Sequence, residues 1–215
     1  MPSPLRIQRD QERTRRRREA LLDAAGRVFV RHGYHRTLIS DIAAEAKVGQ
    51  GTFYRHFPEK RAIFEALFDR ILEQLFSEFQ GMDARPPADV REYHDASAQA
   101  IGQVAQTLDR NRDMVRMLLR EAPTVDPAME VRLAELTDGF VDIAQRFLDH
   151  AVASGFARPC RTRIVAQAIV GIGIAMADQW WRGRVPDIAL QDLVEELIDF
   201  AFEGIGIPNR PEPGR

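Results

Sequence analysis

The sequence predicts an all-α protein with a three-helix head, containing a helix-turn-helix, and a larger helical body. Apolar residues recur at i, i+3, i+4 and i+7 through most of the 215 residues, and no run alternates as a half-buried strand would. Proline and glycine clusters punctuate those runs, at Gly81 to Asp89, Pro123 to Pro127, Ser154 to Pro159 and Gly183 to Pro186. Charge divides the chain in two. Residues 1–60 hold 13 Lys and Arg against 7 Asp and Glu, and residues 61–215 hold 17 against 25, so a net −2 conceals +6 and −8. A basic end on an acidic body fits one domain, 1–60, facing nucleic acid and another, 61–215, facing something else.

Taken in order, residues 1–12, with Pro2, Pro4 and scattered charge, are expected to form a disordered arm. Arg13 and Arg15 to Arg18 follow as a basic run, readable as a solvated face or as a phosphate-contacting arm. The first helix carries Leu21, Ala24, Ala25, Val28 and Phe29 on one face and ends near Gly33, a C′ glycine. The stretch Thr37 to Lys60, TLISDIAAEAKVGQGTFYRHFPEK, then reads as two short helices. The earlier one has Ile39, Ile42, Ala43 and Ala46 on one face. Lys47-Val48-Gly49 makes the turn, with Gly49 free to take the reversal. The later one puts Phe53 and Phe57 on one face and stops at Pro58.

Two short helices joined by a three-residue turn form the helix-turn-helix pattern. Its second helix carries no carboxylate between Gln50 and His56. Amide, hydroxyl, guanidinium and imidazole groups on that helix are the ones that bond base edges and phosphates in a major groove. The plainer reading is a surface hairpin with solvated polar residues.

The residues themselves go further than the spacing. Thr37, Ile42-Ala43, Ala46, Val48, Gly51-Thr52, Tyr54, His56-Phe57 and Lys60 match the run T-x-x-x-x-I-A-x-x-A-x-V-x-x-G-T-x-Y-x-H-F-x-x-K. This resembles the DNA-binding segment of the TetR family of transcriptional regulators. The resemblance implies that Gln50, Gly51, Thr52, Tyr54, Arg55, His56 and Lys60 lie at or near DNA, and that Ser40 reaches a base or phosphate. Thr37 joins that set and is the N-cap candidate, because Leu38 stands where the family usually has Thr or Ser. Two more departures are Lys47, where the family's turn usually carries Gly, and Gly49, where Ser or Thr is common.

Beyond Pro58, Ile63-Phe64, Leu67-Phe68, Ile71-Leu72, Leu75-Phe76 and Phe79 form the wide apolar stripe of one helix that can touch both head and body. Helices are expected over Val90 to Leu108, Met114 to Leu119, Met129 to Ala153, Thr162 to Trp181 and Ile188 to Ile205, with a frayed tail at 207–215. Pro123 and Pro127 are expected to bracket a turn. Ala168, Gly171 and Ala175 fall on one face with Leu190, Leu193, Val194, Leu197 and Ala201 on the next helix. These read as a homodimer interface or as ordinary core, and the resemblance implies a four-helix bundle between two copies. Met114, Met117, Phe140, Phe147, Met176 and Trp180, with Asp178 and Gln179, lie on helices that surround an effector cavity in the family, and suit a plain core equally.

Other chemistries find no support. The five histidines show no metal-ligand spacing, and there is no GxSxG or phosphate-loop motif, so no catalytic residue, metal or cofactor is expected. Cys160 is the one cysteine, which excludes a disulfide framework. No secretory segment or bilayer-long apolar stretch is expected, which makes the cytoplasm the expected compartment. The resulting expectation is a homodimeric repressor that binds a palindromic operator on double-stranded DNA and is released by a small, largely apolar effector. The alternative is a helical protein-interaction module without sequence-specific DNA binding.

Overall fold

In the computed structural model, residues 4–77, 87–185 and 188–205 are described. Nine helices occur among them: α1 Pro4–His32, α2 Ile39–Glu45, α3 Gln50–His56, α4 Lys60–Ser77, α5 Val90–Arg110, α6 Arg112–Val125, α7 Pro127–Ala153, α8 Thr162–Trp181 and α9 Leu190–Ile205. There is no strand among the described residues. The expected loop after Gly81 and the frayed tail at 207–215 lie largely or wholly outside them.

The chain divides into two compact units. One comprises Met1–Glu73 with Asp113–Leu133, and the other Gln74–Arg112 with Ala134–Arg215. The expected boundary at residue 60 therefore falls at the start of α4, whose first turns belong with the head. The reason is their apolar stripe: Ile63, Phe64, Leu67 and Phe68 are buried, and the Phe64 ring meets Phe29 of α1 edge-on at 5.5 Å. Leu21, Leu22, Ala24, Ala25 and Val28 of α1 complete this core with Ile42, Ala43 and Phe53. From α6, Met117, Leu118 and Ala122 are also buried.

Two local expectations change. Residues 4–12, expected to be disordered, are the first turns of α1, where Glu12 accepts from Arg15 at 2.8 Å and Arg16 at 2.9 Å. Such i, i+3 and i, i+4 pairs support an exposed helix that has no apolar period to reveal it. Pro123 lies inside α6, so no turn opens there. Asp126 alone separates α6 from α7. Its carboxylate accepts the Met129 amide at 3.0 Å, and Pro127 fills the first helical position, where an amide would be orphaned anyway.

In the second unit, Tyr93, Val141, Leu148, Ala151, Ala157 and Ala166 form the core, with Phe147, Phe156 and Phe202 packed around it. Asp89 caps α5 by accepting the amides of Arg91 at 2.9 Å and Glu92 at 2.8 Å. α9 packs along α5. α8 behaves differently: its one buried residue is Ala166, while Ile164, Ile172 and Ile174 are exposed. Contrary to the sequence expectation, α8 is long and apolar enough, by length and composition alone, to cross a membrane. Arg163, Gln167, Asp178 and Gln179 mask this on inspection, but the intervening run is rich enough in Ile, Val and Ala to outweigh them.

Candidate nucleic-acid interface

The turn between α2 and α3 sets the presentation of α3. Its left-handed residue is Lys47, at φ +55°, whereas Gly49 is extended at φ −75° and ψ 153° and serves as the N-cap of α3. The sequence reading assigned the reversal to Gly49, the residue that takes it most easily. The chain instead places it two residues earlier, on a side chain for which this conformation costs about 1–2 kcal/mol. The Val48 amide closes the turn onto the Ala43 carbonyl at 2.9 Å, and the Thr52 amide bonds the Gly49 carbonyl at 2.8 Å.

α3 is pinned from behind by Phe53 and Phe57, both buried. Its outer surface then follows from the period. Gln50, Gly51, Tyr54 and Arg55 are exposed, with Thr52 and His56 half-buried. Tyr54 is 53% exposed, which leaves its ring and hydroxyl open on the outer face of α3. A methyl group added at Gly51 would meet nothing within 4 Å. The chain's own packing therefore does not demand glycine there, whereas close approach of an outside backbone would. Arg55 donates to the Thr52 hydroxyl at 2.8 Å, which orients both groups. His56 is held below its ordinary pKa, first by burial and then by the positive charges of Arg55, Arg17 and Arg18. Ser40, in the first turn of α2, is half-buried.

Two residues of the expected DNA-binding set have other tasks. Thr37 is fully buried, its hydroxyl donating to the Gly33 carbonyl at 2.7 Å, so it neither caps α2 nor faces outward. The N-cap is Leu38, 63% exposed, whose amide donates to Asp41 at 2.9 Å and whose side chain offers no acceptor in return. Lys60 directs its ammonium to the carbonyls of Tyr34 at 2.7 Å, Thr37 at 2.9 Å and His35 at 3.3 Å, and sits 4.4 Å from the centre of the Tyr34 ring. An ammonium has three donors, and all are used. Burial lowers its pKa. Lys60 fastens α4 to the α1–α2 turn rather than reaching for phosphate.

The same turn is gripped from α6, which sequence reasoning missed. The Glu121 carboxylate accepts the Tyr34 amide at 3.1 Å, and Thr124 bonds His35 at 3.0 Å. No local pattern signals contacts between residues nearly ninety positions apart.

The proposed effector residues divide between the units. Met114 and Met117 belong to the first. A methyl added at Gly26 of α1 would lie 2.3 Å from the Met114 Cε, and Met117 is buried, so both fill the head's core. In the second unit Phe140 stacks on Phe76 at 5.3 Å, and Phe147 packs on the Tyr93 cluster. Met176, Gln179 and Trp180 are half-buried. Asp178 pairs with Arg182 one turn on, at 2.7 Å, as on an ordinary solvated face. Of the interface candidates, Ala168, Gly171 and Ala175 are exposed and Leu190, Leu197 and Ala201 half-buried. Leu193 and Val194 are buried within the chain and leave the interface set. Their side of α9 is already covered.

Two family models match. Residues 21–67 fit the bacterial regulatory proteins of the tetR family, and residues 98–205, half the chain, fit the tetracyclin repressor-like C-terminal domain. The chain belongs to the TetR family of transcriptional regulators. Members pair a helix-turn-helix head with a helical ligand-binding body, and they are regulators rather than enzymes. The chain is similar to the transcriptional activator FasR of Mycolicibacterium smegmatis, 28% identical over 88% of this chain and 83% of that one. It is also similar to the fatty acid metabolism regulator protein of Bacillus subtilis, 26% identical over 83% and 91%. Among solved structures, FadR of Bacillus subtilis in complex with stearoyl-CoA superposes with a TM-score of 0.72, at 21% identity over 87% and 98%. That last likeness speaks for the fold.

Proposed function

We propose that this TetR-family regulator is a cytoplasmic homodimer that reads a palindromic operator with α3 and is released from it by a largely apolar effector. The observation that carries the reading is the outward face of α3, polar, free of carboxylate and closed off behind by Phe53 and Phe57. Gln50, Gly51, Thr52, Tyr54, Arg55 and His56 are its DNA-facing residues, with Ser40 alongside. Pairing is supported by α8, where Ile164, Ala168, Gly171, Ile172 and Ala175 make an exposed apolar face. Gly171 lets a second helix approach closely. Two copies would set two α3 helices about 34–36 Å apart, one turn of DNA.

An acyl thioester is the effector class that the similar proteins favour, because they include a fatty acid metabolism regulator of Bacillus subtilis and a FadR of the same organism solved with stearoyl-CoA. Phe140, Phe147, Met176, Gln179 and Trp180 are the candidates in this chain for contact with it. α4 runs from the first unit into the second, so a shift in the body has a continuous helix by which to reach the head. The effector acts only as far as it binds one state more tightly than the other. Activation is the second reading, favoured by the likeness to an activator over most of the chain.

Selection of bound DNA from a random pool tests this reading. Enrichment of an inverted repeat, lost with Tyr54→Ala while helix content is kept, is the expected outcome. Failure to enrich any sequence would overturn it. Stearoyl-CoA added to the selected duplex then separates release from recruitment.

A further inference from the structure

α1 begins well before the core of the head does. Burial starts at Leu21, and none of the described side chains from Arg6 to Ala20 is buried. A helix polar on every side is held by its own ion pairs or by something outside the chain. Seven arginines fall between positions 6 and 18 with Asp10 and Glu12. Positive charge in the opening turns of a helix opposes its dipole, and an external anion offsets that cost.

The seven are not equivalent. Glu12 takes Arg15 and Arg16, and the Arg18 guanidinium lies 5.1 Å over the Phe57 ring, at the C-cap of α3. Arg6, Arg9, Arg13 and Arg17 remain, and none of them makes an ion pair among the described residues. Their spacing of i, i+3, i+7 and i+11 places them on a single stripe about 16 Å long. At its inner end, the charges of Arg17 and Arg18 reach His56 on α3. The stripe is thus continuous with the DNA-reading helix and complementary in charge to a duplex.

We propose that Arg6, Arg9, Arg13 and Arg17 form a second, sequence-independent DNA site, which follows the phosphate backbone beyond the bases read by α3. At 3.4 Å per base pair the stripe covers about four to five further base pairs on each side. The proposal rests on α3 facing DNA, but its test needs no operator.

The test uses the full chain and a 40-base-pair duplex of random sequence, titrated over a series of salt concentrations. The variant Arg6→Gln/Arg9→Gln/Arg13→Gln leaves Arg17, beside His56, in place. Its slope of log K against log salt should fall by about 2.7 per protomer, and its affinity at 0.15 M salt by at least about tenfold. The triple lysine variant, which keeps the charges, should restore both. An unchanged slope, a loss that lysine does not restore, or no binding of the wild type to this duplex would each overturn the proposal. Tyr54→Ala should leave this slope intact while abolishing preference for a selected operator. A Tyr54→Ala protein that still prefers the operator would count against the α3 reading and leave the slope result standing.

Discussion

In the first unit, Phe29, Ile42 and Phe53 from three successive helices are fully buried, and the large apolar side chains left exposed, Leu38, Tyr54, Leu119 and Val131, are scattered over four helices or their caps. In the second, α8 buries Ala166 and leaves Ile164, Ile172 and Ile174 between 39% and 56% exposed. Helix periodicity writes apolar stripes in both, so the stripe alone does not say what covers it. The head closes its core within one chain. The body has apolar surface that one chain does not cover, and burial of such surface, at about 25 cal/mol per Å², is the usual driving force for association.

The contrast can be broken at α8 first, where the largest effect is expected. Gly171→Glu puts a charge where a second helix would lie closely against the first, and an unpaired buried charge costs several kcal/mol. The variant should sediment as a monomer and lose on the order of a hundredfold in affinity for a palindromic duplex, with its head still folded by circular dichroism. A dimer of unchanged affinity would move the interface elsewhere.

A smaller effect is expected at Lys60. Lys60→Ala leaves three carbonyls of the α1–α2 turn without their shared donor, which should destabilise the head by about 1–3 kcal/mol in urea unfolding. Its salt slope on random DNA should stay as in the wild type. A flattened slope with normal stability would return Lys60 to phosphate binding.

Lys47→Gly works in the opposite direction. It relieves the left-handed backbone at φ +55° and should stabilise the head by about 0.5–1 kcal/mol, net of the added freedom of the unfolded chain. Lower stability in thermal unfolding would show that the turn rearranges.

The smallest expected effect lies between α5 and α9 of the second unit. His94 bonds Asp199 at 3.0 Å, its ring lies 4.7 Å from Phe202, and its pKa is raised, chiefly by Asp199 and then by Asp95. Because the folded value lies above the unfolded one, this contribution is complete below pH about 6.5 and fades as pH rises through the folded pKa. Solvent screening keeps it under about 1 kcal/mol. Asp199→Asn should remove most of that pH dependence from urea midpoints. An unaltered pH profile would make the pair incidental.

Much of the head could be read from its sequence because its determinants are local. Ile42, Ala43, Phe53 and Phe57 announce their face by spacing, and Gly33 announces the end of α1 with φ +76°. The roles of Thr37 and Lys60 were not legible. Both are set by carbonyls in the α1–α2 turn, and a side chain that bonds such a carbonyl looks in sequence like one that bonds phosphate. The opening turns of α1 were missed for a related reason: helices sustained by Glu12 with Arg15 and Arg16 carry no apolar period. Met114 and Met117 looked like pocket residues because methionine fits pocket and core alike; the packing of Met114 against Gly26 and the burial of Met117 decided for core. Leu193 and Val194 show the same ambiguity in α9, where packing along α5 covers a face that a partner could also have covered.

The central claim is that the head is complete in one chain and the body is not. Sedimentation equilibrium of the wild-type protein at micromolar concentration tests it most directly. Twice the 24.4 kDa chain mass, about 49 kDa, is the predicted result. A stable species of 24.4 kDa across that range, with the α8 face still open to solvent, would contradict it.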